Sequence, residues 1–123
     1  MARILVLDDD RDFLETLVET LASQGHEVYS SANGRQSLSL INGKSIELMI
    51  TDIAMPEQEG LQTILEARKF YPSLKIIAMS GGGRLVSKDY LKVAAKTGAD
   101  LVLAKPFSAH EIQEAVKKLL LNA

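Results

Sequence analysis

The sequence predicts an α/β fold: a doubly wound parallel sheet of five strands with helices on both faces. Short apolar runs recur along the chain, and each is followed by a segment with helical spacing. The runs are nearly all apolar rather than alternating, the pattern of strands covered on both faces. Five such β-then-α units in series call for right-handed crossovers onto a single sheet. At 123 residues, the chain has the length of one domain spanning 1–123 and enough apolar residues to build a core without cross-links.

The elements follow in order. Ile4, Leu5, Val6 and Leu7 form the first strand, ending at Asp8, Asp9 and Asp10. Phe13, Leu14, Leu17, Val18 and Leu21 recur at helical spacing up to Gly25, with Asp10 or Asp12 as the N-terminal cap. Val28, Tyr29 and Ser30 make the second strand. Asn33 and Gly34 turn the chain into a weaker helix around Leu38 and Ile41, stopped at Asn42 and Gly43. The central strand begins at Leu48 and delivers Asp52 to its carboxyl end. A turn opened by Pro56 and closed by Gly60 leads to a helix from Leu61, with Leu61, Ile64 and Leu65 on one face. Leu74 to Met79 is the fourth strand, ending at Ser80 before the loop of Gly81, Gly82 and Gly83. A fourth helix from about Ser87 carries Leu91, Ala94 and Ala95, and Gly98 closes it. Leu101, Val102 and Leu103 form the fifth strand, followed by Lys105 and Pro106. Ser108 and Glu111 have capping-box spacing for a last helix whose face is Ile112, Ala115, Val116, Leu119 and Leu120.

Composition removes several function classes. The formal net charge is −2 with both signs interleaved, so no basic footprint for direct nucleic-acid binding is present. There is no cysteine, hence neither a disulfide nor a thiolate metal site. No apolar run is long enough to span a bilayer and no secretory pattern opens the chain, so the expected location is cytoplasmic, without membrane attachment. His26 and His110 lack metal-ligand companions and read as structural or solvated. Met49, Met55 and Met79 read as packing. The triple glycine lacks the Gly-Lys-Ser/Thr ending of a P-loop.

Function is legible at the strand ends. In a parallel sheet the carboxyl ends share one edge, where ligands of open α/β sheets bind. The first strand brings Asp8 and Asp9 there, the third Asp52, the fourth Ser80 and the fifth Lys105. Three close carboxylates repel one another, and a hard divalent cation relieves that repulsion. Mg²⁺ prefers oxygen ligands and suits one or two carboxylates plus a phosphate. Lys105 adds a compact positive charge and Ser80 a hydroxyl donor, chemistry suited to a phosphoryl group on Asp52.

These residues together resemble a response-regulator receiver domain of the two-component phosphorelay family, in its chemotaxis-regulator-like form. They are Asp8-Asp9, Asp52 followed by Met55-Pro56 and Gly60, Ser80, and Lys105-Pro106. The resemblance runs from Ile4 to the last helix. It implies a flavodoxin-like sheet of strand order 2-1-3-4-5. Asp52 then matches the phosphoacceptor, supplied by a sensor histidine kinase or phosphotransfer protein. Asp9 matches a direct Mg²⁺ ligand and Asp8 one acting partly through water. Asp52 and the main-chain carbonyl of Ala54 complete the metal set. Lys105 matches the lysine that pairs with phosphoryl oxygen, and Pro106 permits a cis peptide after it. Ser80 matches the switch hydroxyl that biases the fourth helix and its loops. The face from the fourth to the fifth helix implies a downstream effector protein, with Tyr90, Leu101 and Lys117 as contact positions, and a monomer or weak dimer. No enzyme acting on external substrates is implied beyond self-phosphorylation and autodephosphorylation.

Two departures stand out. Val102 occupies the position of the aromatic switch partner, and the span from Ser80 to Lys105 exceeds the compact chemotaxis type, with the extra residues placed in Gly81 to Arg84. Ala54 and Gly82 stand where relatives carry larger polar groups, which implies slower autodephosphorylation than with Asn at 54. Two other functions fit less well. A metal-dependent aspartyl-phosphate phosphatase would carry a second acid at position 54. A phosphorylation-independent pseudo-receiver, a protein-binding module, would lack an acidic, acceptor or lysine position, and this chain keeps all three. With no DNA-binding, kinase or cyclase segment after the last helix, the chain as given reads as a receiver alone, which fits a stand-alone relay, an adaptor for a separate protein or a piece of a larger regulator equally well.

Overall fold

A computed structural model describes residues 2–53, 59–81 and 98–121. In chain order they form β1 (Arg3–Leu7), α1 (Arg11–Ser23), β2 (Glu27–Ser31), α2 (Ser37–Lys44), β3 (Leu48–Asp52), α3 (Glu59–Phe70), β4 (Lys75–Ser80), β5 (Leu101–Ala104) and the C-terminal helix α4 (Ala109–Leu121). The five strands make one sheet in the order β2-β1-β3-β4-β5, every pair parallel. The expected architecture and strand order therefore hold. The helix expected from Ser87, the loop residues Gly82, Gly83 and Arg84, and Ala54, Met55, Pro56 and Tyr90 lie outside the described residues.

Successive strand residues point to opposite faces, and two cores result. Ile4, Val6, Leu48, Ile50, Ile77 and Met79 pack with Leu14, Leu17 and Leu21 of α1 and Ile112, Val116 and Leu119 of α4. Leu5, Leu7, Met49, Ile76 and Ala78 pack with Ile41 of α2 and Ile64 and Ala67 of α3. β3 is buried along its whole length, as a central strand should be.

The local signals act as their chemistry suggests. Asp10 is the N-cap of α1, its carboxylate accepting from the Phe13 amide at 3.2 Å. Ser108 and Glu111 close a reciprocal capping box: the Ser108 N–H donates to Glu111 Oε1 at 3.1 Å and the Glu111 N–H to Ser108 Oγ at 3.0 Å. Both cap and box satisfy amides that have no partner within the helix.

Three expectations are corrected. α2 runs through Asn42 and Gly43 to Lys44 and stops where Ser45 takes the left-handed conformation, φ 53°. The terminating residue is thus a serine rather than glycine, and the cap N–H bonds back to the Ile41 carbonyl. α3 starts at Glu59, so Gly60 lies inside its first turn. Its core face is Gly60, Thr63, Ile64 and Ala67, at one-turn spacing, whereas Leu65 is 53% exposed. Among the described residues no helix is long and apolar enough to cross a membrane.

Candidate functional site

The strand order reverses at β1 and β3: β1 pairs with β2 on one side and β3 on the other. That reversal opens the crevice where such sheets bind ligands. Leu7 pairs with Thr51, so the residues that follow, Asp8 and Asp52, emerge side by side. Ser80 pairs with Ala104, and the Lys105 N–H donates to the Ser80 carbonyl at 2.7 Å. Register alone thus brings four of the expected residues to one edge.

Asp8, Asp52 and Ser80 are buried, Asp9 is exposed and Lys105 is half-buried. The lysine reaches from β5 past the end of β4 to strands β3 and β1. Its Nζ donates to Asp8 Oδ2 at 2.5 Å and to Asp52 Oδ2 at 3.1 Å. A long stem is required for that span, and the strand it passes ends in the small Ser80. The peptide between Lys105 and Pro106 is cis. The other Asp8 oxygen, Oδ1, accepts from the Asp10 N–H at 2.9 Å.

Burial pushes the Asp8 carboxyl above its ordinary value of 3.8, and the neighbouring Asp52 adds to that push. Lys105 and the Asp10 amide oppose it without cancelling it. For Lys105, burial favours loss of the proton. The hydrogen bonds and charges of Asp8 and Asp52 outweigh burial and hold the ammonium above its ordinary 10.5. Three carboxylates, Asp8, Asp9 and Asp52, thus gather around one ammonium. Carboxylate oxygens of Asp8, Asp9 and Asp52 lie within 4.8 Å of one another. An all-oxygen set of this size fits a hard divalent cation such as Mg²⁺. The expected fourth donor, the Ala54 carbonyl, is outside the described residues.

Two site features escaped the sequence reading. A Cβ on Gly60 would sit 2.0 Å from the Asp52 carbonyl oxygen, so α3 packs directly on the backbone of the central carboxylate and only glycine permits it. The Phe13 ring lies beneath the Lys105 ammonium, 4.2 Å from centroid to Nζ. Apolar spacing marked Phe13 only as a core residue. Its place in the first turn after Asp9, together with Phe107 just after Lys105-Pro106, was the available clue. Val102 is half-buried and packs against the core on the α2–α3 side, and Leu101 against the other. Lys117 and His110 are exposed on α4, while His26 Nδ1 accepts from the Ala2 N–H at 3.1 Å, a structural role.

Comparison with known proteins agrees with this geometry. The response regulator receiver domain profile matches residues 4–117. The chain is 37% identical over 119 residues to the DNA-binding transcriptional regulator NtrC of Azospirillum brasilense, covering 97% of this chain and 24% of that one. It is 30% identical over 128 residues to the response regulator receiver protein CpdR of Brucella abortus, covering the whole of both. The chain thus spans about a quarter of one relative and all of another. The response regulator TrrA of Thermotoga maritima, solved in complex with Mg²⁺–BeF, superposes with a TM-score of 0.81 at 34% identity, over 97% of this chain and 99% of that one. Sequence, strand order and strand-end chemistry agree, and the chain belongs to the response regulator receiver domain family of two-component signalling.

Proposed function

We propose that Asp52 accepts a phosphoryl group from the phosphohistidine of a sensor histidine kinase or a phosphotransfer protein, in a Mg²⁺-dependent reaction. The observation that carries this reading is the Lys105 ammonium drawn across the sheet onto buried Asp8 and Asp52. A structural ion pair needs one carboxylate. A lysine shared between two, beside a third, suits a site waiting for more positive charge and a phosphoryl group.

An Asp52 carboxylate oxygen attacks phosphorus, the phosphorus–nitrogen bond breaks, and the histidine leaves with its electron pair and takes up a proton. Lys105 exchanges its bond to Asp52 for one to a phosphoryl oxygen and so stabilises the charge that moves there. Ser80, buried beside Asp52 across the β3–β4 pairing, offers a hydroxyl to another phosphoryl oxygen. Asp8, Asp9, Asp52 and the Ala54 carbonyl would hold Mg²⁺, which supplies charge neutralisation to the phosphoryl oxygens and the carboxylates. The Mg²⁺–BeF complex of TrrA supports this assignment by likeness.

The phosphorylated form then favours one arrangement of the face made by the segment expected as a helix from Ser87, by β5 and by the C-terminal helix α4, for a downstream effector protein. Residues 1–123 act as one receiver unit in this reading, and the chemistry is confined to the chain's own phosphorylation and its reversal.

Intact mass after incubation with acetyl phosphate tests the proposal. One phosphoryl group should be gained with Mg²⁺ and none without it, and Asp52→Asn should gain none. Equal labelling of Asp52→Asn would overturn the assignment. No gain in the native chain, with Mg²⁺ still bound, would favour a phosphorylation-independent binding module.

A further inference from the structure

The Lys105 ammonium has a neighbour that the proposed chemistry leaves unused. Phe13, in the first turn of α1, places its ring under Nζ with the centroid 4.2 Å away. Phe107, two residues beyond the lysine, meets Phe13 edge-on, with centroids 5.7 Å apart and ring planes at 87°. We infer that Phe13 is a positioning residue: its ring face holds the Lys105 ammonium over the Asp8–Asp52 pair, where an incoming phosphoryl oxygen will meet it. The inference rests on reading Lys105 as the phosphoryl-pairing group.

Three physical points support it. Lysine is flexible along a four-carbon stem, and fixing its ammonium far from β5 costs rotamer entropy. A ring face on one side and two carboxylates on the other leave it little room to stray. Second, the attraction of a cation to a ring face is electrostatic and takes no directional N–H bond. A carboxylate in the place of Phe13 would compete with the phosphoryl oxygen for the same protons, whereas a ring leaves them available. Third, the edge-on contact with Phe107 orients the ring. The ammonium stands over the ring's face, where the quadrupole is negative. A leucine would fill similar space but offer no such face.

The test uses the full chain with 3,4,5-trifluorophenylalanine placed at position 13. Fluorination keeps the ring's shape nearly constant and withdraws charge from its face. The readouts are the rate of phosphoryl gain from acetyl phosphate at saturating Mg²⁺ and the thermal midpoint. The rate should fall about fivefold while the midpoint stays at its native value. Phe13→Leu should slow the rate comparably, and Phe13→Tyr, which keeps a ring face, should restore it. In a Lys105→Ala background the fluorinated ring should change nothing further. A native rate for the fluorinated chain, beside a slow Lys105→Ala, would overturn the positioning role and leave the reading of Lys105 intact. A native rate for Lys105→Ala itself would overturn that reading and the inference together.

Discussion

At the amino-terminal end of the strands one guanidinium serves several acceptors, while at the carboxyl end several carboxylates share one ammonium. Arg68, in the last turn of α3, donates to the carbonyls of Pro72 and Leu74 at 2.8 Å each and to the Gly98 carbonyl at 2.9 and 3.1 Å. It also meets Asp100 Oδ2 at 2.9 Å, an oxygen that takes the Ile76 N–H at 2.8 Å. One planar fork thus ties the loops entering β4 and β5 to α3, and its donors are matched mostly by neutral carbonyls. Asp8, Asp9 and Asp52 at the other end leave an excess of negative charge around Lys105. The first arrangement is complete in itself and belongs to the scaffold. The second sets three carboxylates around one ammonium, an arrangement suited to a further cation.

Substitutions that act on one end and spare the other sharpen this contrast. The largest effect is expected from Gly60→Ala, because the new Cβ would collide with the Asp52 carbonyl rather than with a flexible side chain. A loss of about 3 kcal/mol in urea unfolding is expected, together with slower phosphoryl gain, since the displaced backbone carries Asp52, the proposed acceptor. Arg68→Met should cost about 2 kcal/mol by leaving carbonyls and Asp100 without their donor. Below its melting transition the variant should still gain phosphate at nearly the native rate. Gly98→Ala is smaller, about 1 kcal/mol, because φ is +83° and the Cβ would press on the Arg68 side chain at 3.3 Å. Both are checked by denaturant midpoints run beside the labelling assay.

Asp8→Asn should act in the opposite direction on stability. The folded pKa of Asp8 lies above its unfolded value, so the native state keeps this proton longer. The stability tied to it is fully present below about pH 3.8 and is lost as pH rises through the folded value. At neutral pH, removing the charge should raise the thermal midpoint, and the gap between native and variant should close as the pH is lowered. Mg²⁺ affinity should fall at least about tenfold in the same variant.

How much of this was readable in advance depends on whether one residue or a pair of distant residues carried the message. The apolar runs and capping signals act within a few residues, so all five strands and the first and last helices could be placed from local chemistry. The strand-end residues Asp8, Asp52, Ser80 and Lys105 were legible because parallel topology sends every carboxyl end to one edge. Gly60 was visible as a turn signal, but its contact with the Asp52 carbonyl depends on how α3 seats on β3. Arg68, Gly98 and Asp100 form a knot across 32 residues of chain that no local pattern announces. Phe13 was correctly placed on the core side of α1, yet its contact with Lys105 depends on a residue far along the chain, just beyond β5. The glycine at position 43 misled because a left-handed Ser45 ended the helix instead.

The excess of carboxylates over ammonium at the carboxyl end of the sheet should draw one divalent cation. Calorimetric titration of the full chain with Mg²⁺, beside Asp9→Asn, tests it most directly. Asp9 is exposed, so its amide variant should fold as the native chain does. One Mg²⁺ should bind per chain, with a strong loss of affinity in the variant. Absence of binding in the native chain, or equal binding in both, would contradict it.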